Sequence, residues 1–102
     1  ASQKGKIEAQ NTAVNQLARF IEHQRRNEKI VFIANTYSGL HPSKRIDKEH
    51  LDLSVKLFFE TSNILFLTTL SLYNLWKKVI TFQISIKEAT FLLQTEKGEL
   101  RI

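Results

Sequence analysis

The sequence predicts an α/β domain built on a short, mostly parallel sheet of about three to four strands, with helices on both faces. Three observations lead there. Two charge-poor apolar runs, residues 29–34 (KIVFIA) and 64–67 (ILFL), have the composition of strands covered on both sides. Segments with helical apolar spacing precede, separate and follow them. Strands that alternate with helices in this way pair in parallel through right-handed crossovers. At 102 residues and 42% hydrophobic content the chain holds one core, so residues 1–102 are read as a single domain.

The elements follow in order. Residues 6–9 alternate Lys-Ile-Glu-Ala, which predicts a short first strand with Ile7 and Ala9 on one face and Glu8 and Gln10 on the other. Over residues 13–26, Val14, Leu17, Ala18 and Ile21 mark the inner face of a helix capped by Asn11 or Thr12, with Arg25 and Arg26 complementing the dipole of its last turn. The second strand, residues 29–34, runs into a loop at 35–45 that holds Gly39 and the only proline, Pro42. Asp47 is expected to cap a helix reaching Thr61, with Leu51, Val55 and Phe58 inward. After the third strand, Thr68 or Thr69 caps a helix that turns Leu72, Leu75, Trp76 and Val79 to the core. Ser85 and Glu88 form a capping box for the last helix, which runs to about Gln94; Gly98 ends it before a short tail at residues 99–102. Trp76 and the seven phenylalanines are assigned to the core. The first strand is expected to leave an open edge that either missing sequence or a second chain would cover, the latter giving a homodimer.

Composition narrows the function classes. The chain has no cysteine, which excludes disulfides, thiolate metal sites and thiol catalysis and points to the cytoplasm. Its longest uncharged stretch, residues 61–76, is broken by polar side chains and falls short of the ~20 apolar residues that cross a bilayer, so no membrane role is expected. The three glycines are isolated, so no glycine-rich phosphate loop exists, and His23, His41 and His50 sit in separate elements away from ligand spacing. Each histidine is read as a surface or loop residue. Fifteen Lys and Arg against ten Asp and Glu, a net charge of +5, favour a polyanionic partner. Basic pairs at Arg25-Arg26, Lys44-Arg45 and Lys77-Lys78 are places where phosphates could be met.

The polar residues left over lie at one strand end and on the helix after it: Glu8-Ala9-Gln10, then Asn15-Gln16-Leu17. Further along come Ile30-Val31-Phe32-Ile33-Ala34-Asn35, a loop with Pro42 and Arg45, and residues 63–69 (NILFLTT) leading into Leu72-Tyr73. In this order the chain resembles the C-terminal part of a restriction-endonuclease-like core of the PD-(D/E)xK nuclease superfamily, in its Mrr-type branch. The resemblance covers nearly all of the chain but about the second half of the family's core. It implies that Glu8 stands for the Glu of E-x-K and would be a Mg²⁺ ligand, that Gln10 occupies the lysine position, and that Gln16 contacts the site or the DNA backbone. It further implies DNA as partner, with Lys4, Lys6, Lys44 and Arg45 facing it. Carboxylates suit Mg²⁺ because a hard cation takes oxygen ligands and polarises the scissile phosphate.

Two departures shape the expectation. Gln10 is neutral and can hold a water but supplies no charge, and no acidic residue precedes Glu8, the only aspartates being Asp47 and Asp52. Mg²⁺ therefore belongs to the site only where missing sequence supplies the upstream Asp. The chain by itself is expected to bind DNA without cleaving it, as a truncated or degenerate domain. Two other readings come from different classes. One is a non-catalytic α/β module that dimerises through its first strand. The other is a winged-helix-like DNA-binding domain, suggested by the last two helices and the strand-like tail.

Overall fold

The computed structural model describes residues 5–23, 29–45 and 47–102. Lys4, Arg25 and Arg26 lie outside the described residues. The fold is α/β. Helix α1 (Thr12–His23) leads to strand β1 (Ile30–Ala34), a 3₁₀ turn (Pro42–Lys44), helix α2 (Leu53–Thr61), strand β2 (Ile64–Thr68), helices α3 (Thr69–Ile80) and α4 (Ile86–Thr95), and a two-residue strand β3 (Gly98–Glu99). The sheet has the order β1-β2-β3 and is parallel throughout, with Ile30 beside Ile64 and Leu65 beside Gly98.

Local chemistry sets the element ends. Asn11 caps α1, its Oδ1 accepting from the Ala13 amide at 2.9 Å. Thr68 caps α3 by accepting from the Ser71 amide at 3.0 Å, and the Ser85 hydroxyl does the same for the Glu88 amide at the start of α4. Helix α2 starts later than expected. Asp52, not Asp47, takes the cap position, because His50 and Leu51 are drawn into an extended bridge with Ile7. The Ile7 amide donates to the His50 carbonyl and the Asp52 amide to the Ile7 carbonyl, both at 2.8 Å.

That bridge replaces the expected first strand: among the described residues, 6–9 form one isolated pairing and no strand. Both main-chain groups of Ile7 are spent within the chain, and its side chain is buried. Among the described residues the long edge strand is β1, which has a neighbour on one side only.

The core lies on one face of the sheet. There Ile30, Phe32, Ala34, Ile64 and Phe66 meet Val14, Leu17 and Ile21 of α1 and Val55, Phe58 and Phe59 of α2, with Ile7 and Leu51. Phe32, Phe59 and Phe66 stack in tilted pairs with ring centroids 5.4–6.2 Å apart. On the opposite face α3 packs on β2, every residue of which is buried. Strand β1 was expected to be covered on both faces, yet Val31 and Ile33 stay 38% and 40% exposed, as the edge strand's outer face lies beyond α3.

Other aromatic assignments change as well. Trp76 is 55% exposed, and Phe20, Phe82 and Phe91 are also at the surface. Leu75 is the inner apolar anchor of α3, and the helical spacing that includes Trp76 describes a stripe wider than the sheet beneath it. The tail does not stop after α4. It returns to the sheet as β3, with Gly98 inside the strand at φ +73° and not at the helix end, which the Glu96 position marks.

Candidate functional site

A cleft of about 350 Å³ opens at the C-terminal ends of all three strands. In an open parallel sheet this is where ligands bind, because the strand ends deliver loops and helix N-termini to one place. Asn35 and Thr36 enter from the end of β1, Thr68 from the end of β2, Leu70, Ser71 and Asn74 from α3, and Arg101 and Ile102 from the segment after β3. The loop after β1 adds Pro42, Ser43 and Arg45, and the bridge segment adds His50.

The lining is chemically one-sided. Thr36, His50, Thr68 and Ser71 are the buried polar side chains of the described residues, and all of them line this cleft. Burying polar groups costs free energy unless they are paired, so their convergence marks a built site. Two arginines contribute and no acidic side chain does.

Each group is held in place. Thr36 Oγ1 and His50 Nδ1 are 2.5 Å apart, and the Tyr37 ring meets the imidazole edge-on at 5.7 Å. Burial pushes the His50 pKa below its usual 6.5; the Glu99 carboxylate and a hydrogen bond to the Arg45 main chain work the other way, while the charges of Arg101 and Arg45 add to the lowering. Arg45 staples its loop: Nε donates to the Leu40 carbonyl at 2.8 Å, one terminal nitrogen to Asn35 Oδ1 at 2.9 Å, the other to the Ser38 carbonyl at 3.2 Å. Arg101 bonds the Glu99 carboxylate and the Lys48 carbonyl. Asn74 Nδ2 donates to the Ile102 carbonyl oxygen at 2.8 Å, and the Ile102 amide to Ser71 Oγ at 3.3 Å, which closes the α3 side.

The residues expected from the sequence lie elsewhere, with one exception. Glu8, Gln10 and Gln16 are exposed and line no part of the cleft. Gln10 Nε2 donates to Glu8 Oε2 at 2.5 Å, so the structure joins that pair, while Gln16 stands on the outer face of α1. Lys6 pairs with Asp52 at 3.6 Å, Lys44 is exposed on the 3₁₀ turn, and Arg45 is the one that reaches the cleft. A Mg²⁺ site asks for several oxygen ligands in one place, and no group of three or more acidic, histidine or cysteine side chains converges among the described residues. Glu8 alone does not fit the ion.

His50 is the residue the sequence concealed. Nothing in its spacing separates it from His23 and His41, which are exposed; its burial comes from the Ile7–Leu51 bridge, a long-range contact without a local signature. The cleft threonines and Ser71 carry a fainter signal, as polar residues directly at the end of an apolar strand.

Among the described residues no helix is long and apolar enough to cross a membrane. Compared with known proteins, the chain matches no family model, no curated protein and no solved structure.

Proposed function

We propose that this chain is a DNA-binding, restriction-endonuclease-like domain that meets DNA phosphate at the cleft, works in the cytoplasm, and does not cleave DNA by itself. The observation that carries the reading is the convergence of every buried polar side chain of the described residues on one cleft with two arginines and no acidic side chain. Arg45 stands at its wall and Lys44 beside it on the exposed 3₁₀ turn, adding cations where a phosphate strand would pass. The net charge of +5 supports the same class of partner.

Hydrolysis is no part of this reading for the described residues, because Glu8 supplies a single carboxylate and Gln10 no charge, which does not make a Mg²⁺ site. The test is a duplex titration at several salt concentrations. Binding should weaken with salt at a log–log slope of about −0.9 per phosphate contacted, and Lys44→Ala should make that slope shallower by about 1. Affinity that does not change with salt contradicts the proposal.

A second reading, an assembly module, has an observation of its own. Among the described residues β1 is an edge strand without charge, proline or bulge, and its residues Val31 and Ile33 are exposed, as on an edge open to pairing. It predicts a dimer by sedimentation that Val31→Lys dissociates; a monomer at high concentration contradicts it.

A further inference from the structure

We infer that the cleft is the binding site for a terminal phosphate group, a phosphomonoester carried at a nucleic-acid strand end or on a free mononucleotide. The inference deepens the DNA-binding reading and rests on it for the choice of ligand. Its ground is a surplus of hydrogen-bond donors inside one concave space.

Thr68 and Ser71 are more than nine-tenths buried. Their oxygens accept from the Ser71 and Ile102 amides, yet no acceptor among the described residues takes either hydroxyl proton. Asn35 shows the same imbalance. Its Oδ1 is fixed by Arg45, which leaves Nδ2 as a donor without an acceptor among the described residues. The main-chain N–H of Leu70, in the first turn of the 12-residue helix α3, has no acceptor within that helix. Four donors thus come from residues that line a space with no acidic side chain and flanked by arginine, and an anion with several acceptor oxygens is the ligand that satisfies them.

The number of oxygens selects among anions. The loop after β1, helix α3 and the segment after β3 all line the cleft, together with the buried Thr36, His50 and Thr68. An internal phosphodiester offers two free oxygens to these donors and carries chain away in two directions, whereas a terminal phosphate offers three and carries chain away in one. The volume of about 350 Å³ lies at the lower end of the range for small-ligand pockets and leaves room for the adjoining sugar against Leu70 and Pro42.

The test measures binding of the full chain to one short duplex bearing either a 5′-phosphate or a 5′-hydroxyl, with inorganic phosphate and a nucleoside 5′-monophosphate as competitors. The phosphorylated end should bind about tenfold tighter, and either competitor should remove that difference. Asn35→Asp keeps the acceptor for Arg45 but replaces the free donor with negative charge, and it should abolish the preference at unchanged melting temperature. Ser71→Ala, which removes a hydroxyl proton donor, should reduce it. Equal, salt-sensitive binding of both duplexes overturns this inference and leaves the DNA-binding reading in place. Binding of the mononucleotide without binding of either duplex supports the cleft assignment and overturns that reading instead. A preference unaffected by Asn35→Asp, or no binding of any probe, overturns the inference outright.

Discussion

His50 couples the site to the stability of the fold. In the unfolded chain its ring takes up a proton near pH 6.5, whereas in the folded state burial holds the proton off until lower pH. Between those two values the unfolded state carries the extra proton. Stability is therefore complete above about pH 6.5 and is lost as the pH falls toward and through the lowered folded value. Asp52 also has a lowered pKa, through its hydrogen bond from Ser54 and the nearby Lys6 charge, but its loss falls below its ordinary 3.8 and occupies a separate window. Urea midpoints taken from about pH 8 to 5 should fall on the acid side of 6.5. His50→Leu should flatten that slope while costing about 2 kcal/mol, since Thr36 loses its partner. A wild-type midpoint independent of pH in this range contradicts the assignment. Gly98 is the second residue with a defined penalty. Its φ of +73° disfavours any side chain, and an added Cβ would come within 2.8 Å of Glu60 Cγ. Gly98→Ala should destabilise by about 1–3 kcal/mol, and adding Glu60→Ala should restore the part due to the clash, leaving the backbone part. Thermal melts of both variants check this.

Among the elements, the end of α3 is instructive. The Gln83 amide bonds the Lys78 carbonyl at 2.9 Å and the Phe82 amide bonds the Val79 carbonyl at 3.1 Å, the pair of contacts that closes a helix with a left-handed residue. That residue is Phe82, at φ +60° and 93% exposed. A glycine would hold the same turn without the clash between Cβ and backbone, so Phe82→Gly should stabilise the chain by about 1 kcal/mol, read as a raised melting temperature. Destabilisation would show that the ring packs on something. Elements with local signatures are legible in the sequence: both apolar strands, four helices in order, the Ser85 cap, and two caps to within one residue, which the structure resolves to Asn11 over Thr12 and Thr68 over Thr69. What escaped depends on distant partners. The bridge between Ile7 and Leu51 delayed α2 to Leu53, and the return of residues 98–99 beside β2 turned a helix stop into a strand. Residue types cannot announce such contacts, and a strand as apolar as β1 reads the same at an edge as at the centre of a sheet.

At the scale of the whole molecule, three parallel strands end together, and their ends assemble groups from residues 35–36, 42–45, 50, 68–74 and 101–102 into one cleft. Its position follows from the strand alternation visible in the sequence, since parallel strands deliver their C-terminal ends to one side. Its members do not, because they come from five stretches of chain that only the folded sheet brings together. The resemblance to half a nuclease core directs attention to Glu8, Gln10 and Gln16, which the fold leaves exposed and outside the cleft. In the proposed function the net charge of +5 argues for the partner class and the cleft is its point of contact. The most direct test of that claim is an amide NMR titration of the full chain with a short phosphorylated duplex. Shifts should concentrate on Leu70, Ser71 and the Asn35 side-chain amide and fade as salt is raised; shifts confined to other surfaces, or none at any salt concentration, would contradict it.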